Sequence, residues 1–201
     1  MFFSCSNTTE KVLIHEFTPT ASRWNIINWN SINKKNQFQV RETIDSKNRV
    51  IKLEFLKNDK EIENALCYLP TLVKYEYLPN KIIENLFTNG AKMDATECEM
   101  PFKTIYHLKN NYITKVENFR KFDTINFSKN EIAELKKYIS EYELIICNDN
   151  TNIEIDFYYQ SFTKMNGIFP TNKNYKYEPH FNLGDEPESE SVKKGIKKLN
   201  N

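Results

Sequence analysis

The sequence predicts a mainly β protein with some α: an antiparallel β-meander of successive hairpins, with one packed amphipathic helix and a weak C-terminal helix. Three observations predict it. Strand-like alternation broken by turn residues recurs with turn centres near residues 47, 80 and 110, a loose spacing of about 30–33 residues. The stretch 128–142 changes to helical spacing behind a start signal. Aromatic residues make up 13% of a chain whose apolar fraction is 39%, enough to build one core in 201 residues.

Taken in order, "KVLIHEF" at 11–17 reads as a short strand. Residues 21–32 fit neither the strand nor the helix period; Trp24 and Trp29 there are expected to pack onto the fold, an aromatic ligand platform being the other reading. From residue 37, "QFQVRETIDSKNRVIKLEFLKNDKEI" reads as strand, turn, strand, turn, turning at Asp45–Asn48 and again at Lys57–Asp59. Alternation places Val50, Lys52, Glu54 and Leu56 on one face and Ile51, Leu53 and Phe55 on the other. The next hairpin turns at Pro79–Asn80 and is followed by Asn89–Gly90, a strong hairpin signal. The third turns at Asn110–Asn111.

"FSKNEIAELKKYISEYEL" opens with Ser128 and Glu131, a capping box, and continues with Ile132, Leu135, Ile139 and Tyr142 at helical spacing. This single apolar stripe predicts a helix lying against a sheet face. A fourth hairpin is expected from Ile145–Cys147 through "NDNTN" to "IEIDFYY". The aromatic, turn-rich stretch 160–183 then reads as an irregular cover over the core. In the terminal helix Asp185 and Glu188 suit the first turn and Lys193–Lys198 the last, while Gly195 costs about 1 kcal/mol.

Several function classes are disfavoured. With 28 basic and 27 acidic residues the net charge is +1, so no strongly basic nucleic-acid binder is indicated. No apolar run is long enough to span a bilayer. There is no phosphate-binding glycine loop, CxxC, HExxH or G-x-S-x-G, and no cofactor is implied. His15, His107 and His180 are far apart in sequence, and no metal site is expected of them. Asp149, Glu154 and Asp156 form the densest acidic group; they read as a solvated strand face, or as the carboxylates of a periplasmic hydrolase if they converge in the fold.

The opening "FFSCSN" resembles the end of a bacterial lipoprotein signal of the Bacteroidota kind, with small Ser4 before Cys5 and a polar tether, "SNTTEK", after it. The resemblance covers about seven residues. It implies lipidation at Cys5, a lipid anchor in the cell envelope, and a position on the periplasmic side, because Ser6–Thr9 separate the cysteine from the first acidic residue. Residues 1–10 are then signal remnant and tether, 11–183 one β-rich domain and 184–201 a C-terminal helix or tail. The hairpin series itself resembles the tyrosine-rich YD and MORN-like repeat sheets, with Asn80 or Asn110 where those repeats carry glycine.

With Cys5 lipidated, Cys67, Cys98 and Cys147 remain. Cys67 and Cys98 are the expected disulfide, closing a loop worth about 3–4 kcal/mol, unless all three stay buried as thiols. The expected role is non-enzymatic: an envelope lipoprotein that binds a protein or glycan partner through exposed Tyr75, Tyr77, Tyr106 and Tyr112. Alternatives are the hydrolase above and a cytosolic protein that neutralises a toxin or host factor.

Overall fold

The computed structural model describes residues 10–19, 24–28, 31, 37–63 and 70–148. They form one antiparallel sheet that does not close on itself. Strands β1 (Lys11–Pro19) and β2 (Trp24–Asn28) pair at one end, with β2 at the edge. From β1 the sheet proceeds in sequence order through β3 (Phe38–Ile44), β4 (Val50–Lys57), β6 (Leu72–Leu78), β7 (Lys81–Thr88), β9 (Lys103–Lys109), β10 (Tyr112–Phe119) and β11 (Tyr142–Ile146). The two-residue strands β5 (Lys60–Glu61) and β8 (Ala91–Lys92) fold back on the ends of β4 and β7. The expected β-meander is therefore present.

The loose sequence spacing becomes a strict repeat in the structure. Moving β4, β5, β6 and β7 forward by 31 residues gives β7, β8, β9 and β10, with the same first and last positions. The hydrogen bonds repeat too: Phe55 N–H donates to Thr71 O as Leu86 N–H does to Phe102 O, and Ile62 N–H to Phe55 O as Met93 N–H does to Leu86 O. Few side chains mark this period, among them Asn58/Asn89, Pro70/Pro101, Tyr75/Tyr106 and Asn80/Asn111.

The turns explain why asparagine is used. Asn58 and Asp59, Asn89 and Gly90, and Asn110 and Asn111 all have positive φ. Positive φ at both central residues is the primed turn that matches strand twist, and Asn tolerates it better than other residues bearing a Cβ. At the first hairpin Asp45 accepts the Lys47 and Arg49 backbone N–H groups, both at 2.9 Å, and pairs with the Arg49 guanidinium at 2.6 Å. Burial pushes the Asp45 carboxyl up, but these bonds together pull it below its ordinary value.

One face of the sheet carries the core. Phe17, Val40, Leu53, Phe55, Val73, Leu86 and Ile113 are almost wholly buried there. Phe17 meets Phe55 edge-on at 5.8 Å and Phe38 at 5.6 Å. Val50 is also in this core, not on the Lys52 face expected from simple alternation. A bulge is the reason: Ile44 pairs with Val50 while Thr43 pairs with Lys52, so Ile51 is the extra residue and the faces swap. The same device at Ile113–Lys115 keeps both Ile113 and Val116 inside.

The helix differs from expectation in length and in packing. The Ser128–Glu131 capping box forms, but α2 spans only Lys129–Leu135 and tightens into a turn, with Tyr138 N–H donating to Leu135 O. Tyr142 belongs to β11, opposite Phe119 of β10, where the neighbouring Arg120 N–H donates to Glu141 O at 2.7 Å. Ile132, Leu135 and Ile139 pack with Phe122, Phe127 and Ala95 in a small cluster separate from the sheet core. Ala95 comes from the short α1 (Ala95–Cys98), which is not anticipated from the sequence; Asp94 caps it by accepting Thr96 N–H at 2.8 Å. The second side of the expected fourth hairpin, the irregular cover and the terminal helix lie outside the described residues.

Candidate functional site

Side chains on neighbouring strands line up where the registers meet. On the face opposite the core, three such rows cross the sheet. The first runs Lys52, Lys74, Asn85, Lys103, Phe119, Tyr142, one residue from each of β4, β6, β7, β9, β10 and β11. The second runs Glu76, Ile83, Ile105, Glu117, Leu144. The third runs Lys81, His107, Lys115, Ile146. Two basic rows thus flank a row that is apolar apart from two carboxylates.

The rows end on an exposed apolar strand. Tyr142, Leu144 and Ile146 are 46%, 47% and 63% exposed, all on the outer side of β11. Towards β1 the outer face closes instead: Glu16, Gln39 and Leu56, which share a row, are buried. The open part of the outer face therefore lies between β4 and β11.

Aromatic rings fix several of the cations. The Lys103 ammonium sits 4.7 Å from the Phe119 ring centre, and Lys74 5.3 Å from that of Phe87. A ring face under an ammonium attracts it electrostatically and limits its wandering. Lys52 is held from the next row by Glu54 at 3.0 Å. Glu117 gathers the middle of the face: His107 Nε2 bonds its Oε2, the Tyr142 hydroxyl donates to Oε1 at 2.8 Å, and Lys115 lies 3.5 Å away. The His107 bond first, then that of Tyr142, hold its carboxyl down at about 2. The same bond raises the Tyr142 phenol.

The expectation of four exposed tyrosines is corrected at Tyr75 and Tyr106. Tyr75 and Tyr106 are each only 6% exposed and belong to the sheet core. Period-two geometry is the reason: Lys74 points outward, so its neighbour Tyr75 points inward. Tyr77 packs against the core under the Arg49 guanidinium, 4.4 Å from its ring centre. Tyr112 is half-buried opposite Lys109 beside the Asn110–Asn111 turn. The outer face instead presents Tyr142, Leu144, Lys52 and Lys103. Their signal was present as alternation within each strand, but the rows depend on register between hairpins, which local spacing does not reveal.

The inner face holds a polar row of its own. Tyr75, Glu84, Thr104, Asn118 and Glu143 are register partners across five strands. The Thr104 hydroxyl donates to Asn118 Oδ1 at 3.0 Å, Asn118 Nδ2 to Glu143 at 3.1 Å, and Arg120 Nη2 to the same Glu143 oxygen at 2.8 Å. Arg120 first, then Asn118, lower the Glu143 carboxyl. Arg120 also donates to the Glu99 carbonyl, so it ties the end of α1 to the start of β11. His15 and Glu42 form a buried pair at 2.6 Å. These bonds give Thr104, Asn118, Glu143, His15 and Glu42 hydrogen-bond partners on the inner face.

Asp149, Glu154, Asp156, Cys5, Cys67 and His180 lie outside the described residues, and with them the carboxylate cluster, the lipidation site and the Cys67–Cys98 pairing. Cys98 is the last residue of α1. Cys147 carries a free, half-buried thiol whose pKa burial raises. Among the described residues no group of three or more His, Cys, Asp or Glu side chains has the geometry of a metal site, and no helix is long and apolar enough to cross a membrane. Comparison of the chain with protein-family models, with curated proteins and with solved structures found no match.

Proposed function

We propose that the chain is a non-enzymatic binding protein of the bacterial cell envelope that engages a glycan or protein partner through the outer face of its sheet. The observation that carries the reading is the exposed trio Tyr142, Leu144 and Ile146 on one side of β11, continuous with the two basic rows. Isolated exposed apolar residues need no explanation, but three adjoining ones beside held cations form a surface suited to a partner. The "FFSCS" motif supports tethering at Cys5, on the periplasmic side.

The reading is tested by exposing an array of glycans and envelope proteins to the wild type and to the double variant Leu144→Lys/Ile146→Lys. The expected result is retention of one class of partner by the wild type and its loss in the variant, with the thermal midpoint unchanged. Equal retention by both, or conversion of a retained glycan into shorter products, contradicts the reading.

A further inference from the structure

We infer that the partner is an acidic linear glycan, its chain lying across the strands along the Lys52–Lys74–Asn85–Lys103 row. This rests on the reading of the outer face as the binding face and names its ligand class. Four features carry it. The first is charge: among the described residues this row contains three lysines and no carboxylate, with Lys52 sharing its charge with Glu54 of the next row, although the chain as a whole is near neutral.

The second is spacing. Neighbouring strands are about 4.8 Å apart, so the Lys52 and Lys74 positions are one strand spacing apart, and Lys103 lies two strand spacings beyond Lys74. Those steps are comparable with the advance per sugar in an extended polysaccharide. Asn85, between Lys74 and Lys103, supplies a donor and an acceptor suited to a hydroxyl.

The third is positioning. Phe87 and Phe119 lie beneath the Lys74 and Lys103 ammoniums, so the cations are set before any ligand arrives and less side-chain entropy is lost on binding. The fourth selects a glycan over a nucleic acid. Those rings are occupied by ammoniums and do not offer free faces to bases. At the far end Tyr142 keeps an exposed ring, 5.3 Å from that of Phe119, on which an apolar sugar face can rest.

Equilibrium binding of the full chain to polygalacturonate, dextran and oligo(dT) at low and at physiological salt tests this. The wild type is expected to bind polygalacturonate, weakly or not at all to bind dextran, and to lose affinity as salt rises. The triple variant Lys52→Gln/Lys74→Gln/Lys103→Gln should bind roughly tenfold or more weakly, each lost ion pair accounting for a few-fold. The corresponding triple Lys→Arg variant should retain binding, and Lys47→Gln/Lys60→Gln, exposed near strand ends, should leave it unchanged.

Tighter binding to oligo(dT) than to polygalacturonate overturns the glycan assignment in favour of nucleic acid. Equal binding by the Gln triple and the wild type overturns the row. If no polyanion binds while an array partner is still lost with Leu144→Lys/Ile146→Lys, the glycan inference fails and the binding face stands. If neither occurs, both fail.

Discussion

Tyr142 donates its hydroxyl to Glu117 at 2.8 Å although the two are not register partners: Glu117 faces Leu144, and Tyr142 faces Phe119. The bond runs diagonally across the β10–β11 pair and meets the His107 contact on the same carboxylate. It holds the edge strand to the sheet through side chains as well as backbone. A carboxyl held at about 2 in the folded chain, below its ordinary 4.5, stabilises the fold fully above pH 4.5, and that stabilisation is lost as pH falls towards 2. The urea midpoint of the wild type should therefore be flat above about pH 5 and fall between about 4.5 and 2. Glu117→Gln should make this fall shallower, without removing it, because Asp45 and Glu143 are lowered too. Parallel curves for the two proteins would show that the Glu117 contacts do not act in solution.

The Asn110–Asn111 turn joins β9 to β10 with both residues at positive φ. Asn111→Val puts a β-branched side chain where the left-handed conformation costs about 1–2 kcal/mol, and stability should fall by that amount. Asn111→Gly removes the steric cost and should hold the urea midpoint or raise it. Opposite signs for the two variants are the check; a loss of equal size in both would mean that the asparagine side chain matters more than the backbone.

Phe55 is wholly buried and meets Phe17, two strands away on the same face of the sheet, edge-on at 5.8 Å. Phe55→Ala leaves a cavity beneath β1, β3 and β4 and should cost about 3–5 kcal/mol by urea unfolding. A cost below about 1 kcal/mol would mean that this end of the sheet is loosely packed.

At the N-terminus the prediction concerns location. In its native cell the full gene should yield protein in the membrane fraction, with an intact mass that includes acyl chains on Cys5. Cys5→Ala should release it to the soluble fraction. Membrane retention of the Ala variant would remove the lipid anchor from the account.

The hairpins were legible because their information is local. Alternation and Asn-rich turns locate the hairpin turns between β3 and β10, and Ser128–Glu131 marks where the helix starts. What escaped depends on pairing at a distance. Tyr142 keeps helical spacing with Ile139, yet pairing with Phe119 makes it a strand residue. Val50 changes faces because of one bulge opposite Ile44. Of the four tyrosines expected to be exposed, the same alternation places two inside; Lys52, Lys74 and Lys103 share a row only when three hairpins settle into one register. The 31-residue repeat is written in hydrogen bonds much more than in side chains, so sequence spacing alone showed it only loosely.

The most direct measurement is the reactivity of individual lysines towards acetylation, read by mass spectrometry with and without polygalacturonate. Protection of Lys52, Lys74 and Lys103, with Lys47, Lys60, Lys129 and Lys137 unchanged, is the result predicted for a ligand lying on the outer face of the sheet. Uniform protection, or protection centred on Lys129 and Lys137 around the helix, would contradict it.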